Sequence, residues 1–271
     1  MGLEPGAEVL RAKSGMHASN VWRIGDVIVK DSHPWTPTIH ALLEHLDRKG
    51  FAPAPRLVGS GWNADGRETL GYIEGVVLDR GPLSRACCTS IGALLRALHE
   101  ATASFVPPPD ALWRPWFGRA LGGPARTVGH CDAAPWNIVA RDGMPVGLID
   151  WEHAGPVNPL VELAQACWLN AKLHDDIVAR REHLPSLEER AILLRGVVDG
   201  YGLSRPDRVG FVELMISFAM HSVAAEADEA GLMPDTALDA MHPQLPWAMA
   251  WRARAAAWMS RNRLVLEDCL S

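Results

Sequence analysis

His130, Asp132 and Asn137, followed thirteen residues later by Asp150, carry the residue types and spacing in this chain that specify chemistry. The run reads "HCDAAPWNIVARDGMPVGLID", with Asp150 closing an apolar segment. The pattern His-x-Asp-x-x-x-x-Asn, then a strand ending in Asp, is the order in which phosphoryl-transfer sites place their groups. An acceptor hydroxyl needs one carboxylate to orient it and take its proton, which suits Asp132. Nucleotide phosphates need a hard cation, and Mg²⁺ prefers oxygen ligands such as the Asn137 amide oxygen and the Asp150 carboxylate. Taken alone, Asp132 and Asn137 would be at home in ordinary Asx turns. The flanking segments argue for more: "NIVA" and "VGLID" around the "RDG" turn form a hairpin, and the acids lie just outside its strands.

Those groups have to be held by something, and the chain supplies it in order. "NVWRIGDVIVKD" reads as two strands joined at Gly25-Asp26. Lys30 closes the second, where a cation can meet phosphates, and "SGMHASN", residues 14–20, lies between strand candidates with Ser19 as a candidate phosphate contact. "TIHALLEHLDRKG" sets Ile39, Leu42, Leu43 and Leu46 on one helical face before Gly50. "PRLVGSGWNADGRETLGYIEG" gives two more strands around Asp65-Gly66. Beyond Gly75 the character changes to helix: "TSIGALLRALHEATASF" with Ile91, Leu94, Leu95 and Leu98 on one face, and, after the hairpin, segments 160–171, 187–201, 207–230 and 247–262. The sequence therefore predicts an α+β, bilobal fold, a small β-rich lobe over residues 1–75 and a larger, mainly helical lobe over 76–271, with a crevice between them.

The bulk composition excludes several alternatives. A net charge of −6 argues against nucleic acid as a partner, since phosphate backbones need clustered Lys and Arg. Five cysteines with no CxxC or CxxxC pair argue against a disulfide framework or structural zinc and for a reducing cytoplasm. The segment "MGLEPGAEVLRAKSG" lacks a signal-peptide core, Gly6 breaks the myristoylation pattern, and Cys269 is misplaced for prenylation. No apolar run approaches the ~20 residues of a membrane span, so a soluble, cytoplasmic protein is expected, as monomer or homodimer.

"VGHCDAAPWNIVARDGMPVGLIDWEHAGPVNPLVELAQA" resembles the aminoglycoside phosphotransferase family of the protein-kinase-like superfamily. The resemblance is close over residues 90–170, fair over 15–80 and slight beyond 175. It rests on His130-Cys131-Asp132, Asn137, the run Ile149-Asp150-Trp151-Glu152-His153-Ala154, Glu162-Leu163-Ala164, and the Leu98-His99 end of "LLRALHEA". It implies a kinase-like fold and ATP- or GTP-dependent phosphorylation of a small-molecule hydroxyl. In that scheme Asp132 is the catalytic base, His130 braces the loop, Asn137 and Asp150 bind Mg²⁺, Lys30 contacts the phosphates, and Tyr72, Ile73 and Glu74 hold the purine through backbone groups. An aminoglycoside or other antibiotic is the best single acceptor. A metabolite of the choline, sugar, homoserine or methylthioribose type, or a non-catalytic kinase-like binding protein, is the alternative.

Several residues depart from the family pattern. Cys131 stands for the usual Gly and Glu162 for an Asp. Glu44 is the helix acid on offer to Lys30, but it comes late, and His40 stands where the acid belongs. Only about 30 residues separate the Leu-His helix from the catalytic loop, too few for the insertion that builds acceptor sites in some members. Cys131 beside His130 suggests a thiol nucleophile only weakly, because triads are assembled in space. Trp113 and Trp116 are further candidates for ring binding, while Trp247, Trp251 and Trp258 share one helix face, for which core packing is the ordinary reason. Glu226, Asp228 and Glu229 form an acidic helix face whose ordinary place is in solvent, with one or two acids available to a cationic acceptor.

Overall fold

A computed structural model of the chain describes residues 7–11, 19–79, 81–237 and 241–271. Its first unit is a five-stranded antiparallel sheet in the order β1-β2-β3-β5-β4. The strands are β1 (Glu8–Arg11), β2 (Val21–Ile24), β3 (Val27–Lys30), β4 (Leu57–Trp62) and β5 (Glu68–Gly71). Helix α1 (Thr36–Arg48) crosses between β3 and β4, opening on Pro37, whose missing N–H costs nothing in a first turn. It buries Ile39, Leu42, Leu43 and Leu46, the face its periodicity predicts. Most of residues 14–20 fall outside the described residues; Ser19 and Asn20 fall within them.

After Gly71 the chain leaves this sheet. β6 (Val76–Val77) pairs with β8 (Ile138–Arg141), which forms the expected hairpin with β9 (Met144–Leu148). A second small sheet joins β7 (Thr127–Gly129) to β10 (Gly155–Val157). The rest is helical: α2 (Arg85–Thr102), α3 (Pro159–Asn170), α4 (Asp176–Arg181), α5 (Leu187–Tyr201), α6 (Arg205–Arg208), α7 (Phe211–Glu229), α8 (Leu245–Arg261) and α9 (Arg263–Leu270). The N-termini of α2, α3, α4 and α5 are each capped by the preceding polar side chain, Ser84, Asn158, Asp175 and Ser186.

Helix α3 is the pillar of this second unit. Every residue from Val161 to Asn170 is buried, with Leu163, Ala164, Ala166 and Cys167 wholly so, among α2, α5 and α7. Helices α2 and α5 cross at close range because Gly92 and Gly200 let the backbones meet; a Cβ at either would strike the opposite main chain. The helix expected over 207–230 is divided, because Gly210 takes a positive φ of 74° and ends α6 before α7 begins. Strand β10 escapes sequence reading because "GPV" contains a proline, tolerated here since it lies in a two-stranded ribbon.

Candidate active site

The β8–β9 hairpin sets the geometry. Ile138 pairs with Leu148, and the Ile149 N–H donates to the Asn137 carbonyl at 2.9 Å. Asn137 and Asp150 are thereby tied across one hydrogen bond at the mouth of the hairpin. Asp150 takes a left-handed φ of 64°, which Asp tolerates better than most residues. Asp132 lies beside them: its Oδ2 accepts from Asn137 Nδ2 at 2.7 Å and its Oδ1 from Gln165 Nε2 on α3 at 3.1 Å. Burial and then the charge of Asp150 push the Asp132 carboxyl up to about 7, a proton affinity that suits a group receiving a proton near neutral pH.

His130 is buried beneath the loop with no exposure. Its Nε2 bonds the Ile149 carbonyl at 2.9 Å, its Nδ1 accepts from the Asp132 N–H at 3.2 Å, and its ring packs on Trp151 at 4.7 Å. Burial lowers its pKa, so the ring stays neutral, and it ties the Asp132 turn to the Asp150 turn without facing the crevice. Beneath Cys131 sits a buried relay. Glu162 accepts the Cys131 N–H at 2.8 Å and pairs with His99 at 2.7 Å, and His99 meets the Tyr201 hydroxyl at 2.8 Å. Burial raises the affinity of Glu162 for protons, but His99 and the other donors outweigh it and hold the carboxyl below its ordinary value. Gly129 must be glycine, since a Cβ there would overlap the Glu162 carboxylate. Cys131 has φ 62°, no exposure and a thiol that burial, then Glu162, raises well above its ordinary value, so it is no nucleophile.

Lys30 reaches the same place from β3. Its ammonium lies 3.2 Å from Glu68 and 3.7 Å from Asp150, with only 9 % of its side chain exposed. Glu68 is its cross-strand neighbour on β5. This corrects the expectation for Glu44, which is exposed and pairs with Arg48. His40 does stand where a helix acid would, and it bonds the other Glu68 oxygen at 3.2 Å. Burial lowers the Lys30 pKa, but Glu68 and Asp150 more than compensate; Glu68 in turn is held down mainly by Lys30 against its own burial. Asp150 accepts Arg11 as well, at 2.8 Å; burial raises it, yet Lys30 and Arg11 hold it at about 2.

The other expected residues are placed less simply. Ser19 is fully buried with its hydroxyl 2.7 Å from His33 Nε2, so its side chain is engaged inside the lobe instead of facing a phosphate. Tyr72 donates its N–H to Asp26 and the Glu74 carbonyl accepts from Arg141, while Ile73 packs over Gly147. Among the described residues, the Tyr72 carbonyl, both Ile73 backbone groups and the Glu74 N–H are the groups this segment can still offer a base. Glu226 is tied to Arg252 at 2.8 Å, Glu229 to Arg114 at 3.4 Å, and Asp228 is exposed. Of the three tryptophans on α8, only Trp258 is core; Trp247 and Trp251 line a cavity of ≈ 460 Å³ with Arg181, Glu182 and Arg252. Trp113 and Trp116 are partly buried against the core.

Arg11, Glu68 and Gln165 belong to this cluster and were not singled out by sequence. Glu68 had a signal, an acid opening a strand candidate just after the Asp65-Gly66 turn. Arg11 and Gln165 had none. Among the described residues, no three His, Cys, Asp or Glu side chains converge as a metal cage. Asn137 and Asp150 nevertheless fit Mg²⁺, which binds through one or two protein oxygens plus phosphates; the Asn137 amide nitrogen is spent on Asp132, which leaves its oxygen for the metal.

The sequence model of a phosphotransferase enzyme family matches residues 8–124 and 110–194. The trifolitoxin immunity protein of Rhizobium leguminosarum bv. trifolii is 50% identical over 258 residues, covering 95% of this chain and 97% of that one. Among solved structures, the amicoumacin kinase hAmiN, in complex with AMP-PNP, Ca²⁺ and Ami, superposes with a TM-score of 0.68 at 11% identity over 94% of this chain and 89% of that one. A choline/ethanolamine kinase family protein from Mesorhizobium loti gives 0.61 at 14% over 97% and 92%. The aminoglycoside phosphotransferase APH(2'')-Ib gives 0.52 at 12% over 93% of each chain. The bilobal, kinase-like α+β fold read from sequence is the fold these structures share.

Proposed function

The chain belongs to the phosphotransferase enzyme family, as an ATP-dependent small-molecule kinase, and from that premise we propose that it phosphorylates a hydroxyl of an antibiotic-type small molecule at Asp132. The observation that carries the reading is the convergence of Asp132, Asn137, Asp150 and the Lys30–Glu68 pair from four separate elements. In this reading residues 1–75 form the nucleotide-binding lobe and 76–271 the catalytic and acceptor-binding lobe. Lys30, held straight by Glu68, holds phosphate oxygens of the nucleotide, and the Tyr72–Glu74 backbone holds its base. Asn137 and Asp150 hold Mg²⁺, which when bound neutralises phosphate charge. Asp132, fixed by Asn137 and Gln165, aligns the acceptor hydroxyl and takes its proton. The hydroxyl oxygen forms a bond to the γ-phosphorus as the bond to the β–γ bridging oxygen breaks, giving ADP and a phosphate ester. A loose phosphoryl transition state needs little more than this positioning and charge neutralisation.

The relative named for toxin immunity supports an antibiotic-type acceptor over a housekeeping metabolite. The crevice supports a neutral or singly charged acceptor over a polycationic one, because Glu152, Glu226 and Glu229 are already paired with Arg114 and Arg252. Use of ATP supports a cytoplasmic site of action; no helix of the described residues is long and apolar enough to cross a membrane. The test is a thermal-shift series with ATP and GTP, each with and without Mg²⁺, followed by a product assay on an antibiotic panel. A nucleotide at a hundred times its Kd adds about 2.7 kcal/mol to stability, an easily read shift. The reading predicts a Mg²⁺-dependent rise, and for Asp132→Asn the same rise with turnover down by ~10²–10⁴-fold. No shift with either nucleotide would leave a binding fold without the reaction.

A further inference from the structure

Arg11 owes its place to a β-bulge. In the β1–β2 ladder Glu8 faces Arg23, Val9 faces Trp22, and Arg11 faces Val21, so Leu10 is an extra residue without a partner of its own. A bulge re-aims the side chains that follow it. Val9 and Leu10 are about half exposed, whereas Arg11 turns inward and spans 139 positions to reach Asp150. Its Nη1 lies 2.8 Å from Asp150 Oδ2, while Lys30 takes the other oxygen at 3.7 Å. Lys30 has Glu68 as a second acid; among the described residues Arg11 pairs only with Asp150. Its Nε is buried and has no hydrogen-bond partner. The guanidinium therefore covers an oxygen that a metal would need, and it holds an unused donor beside it.

We propose that Arg11 is a nucleotide-phosphate residue that occupies the Asp150 carboxylate against free divalent cations and yields it when a polyphosphate arrives to accept its guanidinium. The proposal rests on Asp150 as metal ligand and a nucleoside triphosphate as donor. The exchange is chemically matched. A planar guanidinium with both Nε and Nη donors pairs with phosphate oxygens at least as well as with a carboxylate. A bare divalent cation offers Arg11 no such acceptor and has to expel a paired cation for nothing in return. Metal alone is thus disfavoured, and metal together with nucleotide is admitted. This is a coupling between two ligands that share one residue.

The test measures binding instead of turnover. Free Mn²⁺ is followed by electron paramagnetic resonance in titrations of wild type, Arg11→Met, Arg11→Lys and Asp150→Asn, with and without the non-hydrolysable analogue AMP-PNP. Arg11→Met is expected to bind Mn²⁺ alone about tenfold more tightly and Mn²⁺–AMP-PNP about tenfold more weakly, the scale of one charge-assisted hydrogen bond. Arg11→Lys keeps the charge without the fork and should fall between, which also serves if Arg11→Met unfolds. Unchanged Mn²⁺ affinity in both Arg11 variants overturns the proposal, as does tighter Mn²⁺ binding with undiminished Mn²⁺–AMP-PNP affinity. A wild type that binds Mn²⁺–AMP-PNP no better than Asp150→Asn overturns the kinase reading itself, a distinct result.

Discussion

Lys30 and Cys131 show what single residues do here. The acid beside Lys30 is Glu68 on a strand, and His40 on the helix shares its other oxygen. Removing one partner of a buried ion pair strands the other charge, at a cost of about 3–5 kcal/mol. Glu68→Gln should therefore lower the urea midpoint strongly and weaken nucleotide binding, while Glu44→Gln, a change at an exposed i,i+4 pair with Arg48, should shift stability by no more than about 0.5 kcal/mol. Equal effects of the two substitutions would place the lysine's partner back on the helix. Cys131, wholly buried with its thiol raised far above the usual range, should resist iodoacetamide in the native protein and react only after denaturation. Rapid native labelling at Cys131, mapped by mass spectrometry, would contradict the geometry of the loop.

At the scale of elements, two hairpins and a buried relay do the positioning, and they differ in how far sequence reveals them. The β8–β9 hairpin and the Asp132-to-Asn137 offset were legible, because turn residues, alternation and spacing are local. Helices α1, α2 and α8 were legible from their apolar faces, and α3 and α5 as helical segments close to the bounds observed. The Lys30–Glu68 pair, the Arg11–Asp150 contact and the Gln165–Asp132 bond were not, because each joins residues that only the tertiary fold brings together. The short elements β6, α4 and α9 lack enough residues to display a period. Ser19 misled for the opposite reason: a hydroxyl near a candidate phosphate loop looks available until His33 is seen to hold it. Gly129 is the space that the Glu162 carboxylate needs. Gly129→Ala should cost about 3 kcal/mol, combining overpacking with a disturbed buried hydrogen bond, and should depress kcat through the catalytic loop. Ser186→Ala, which breaks the capping box of α5 far from the crevice, should cost about 1 kcal/mol in urea melts and leave kcat unchanged.

The whole molecule buries more titratable groups than its catalysis calls for, and their sum sets its response to acid. His153 and His174 are held at about 3 chiefly by burial, and burial lowers His130 in the same direction. The unfolded chain would protonate all three near 6.5. From that pH downward the unfolded state binds protons that the native state refuses at His153 and His174, with His130 and the partly buried His33 acting in the same direction, so stability falls as pH falls. Asp132 works the other way: at about 7 in the native state against 3.8 unfolded, it takes up one proton first in the folded protein. With His153 and His174 set against Asp132, the balance is about one proton in favour of the unfolded state, a slope of about 1.4 kcal/mol per pH unit between pH 6 and pH 4, which His130 and His33 steepen. Glu68, Glu162 and Asp150, each held below its ordinary carboxylate value, add to the loss only at the bottom of that window. His174 is the residue to test, since its Nδ1 has no partner and its ring rests on Trp251 at 5.1 Å, so phenylalanine can replace the ring without the proton site. Urea midpoints for wild type and His174→Phe at pH 8, 6.5, 5.5 and 5 should coincide in shape above pH 6.5 and diverge below it. The variant's slope should be shallower by about 1.4 kcal/mol per pH unit. Parallel curves across the range would mean that His174 is protonated, or reachable by water, in the native protein.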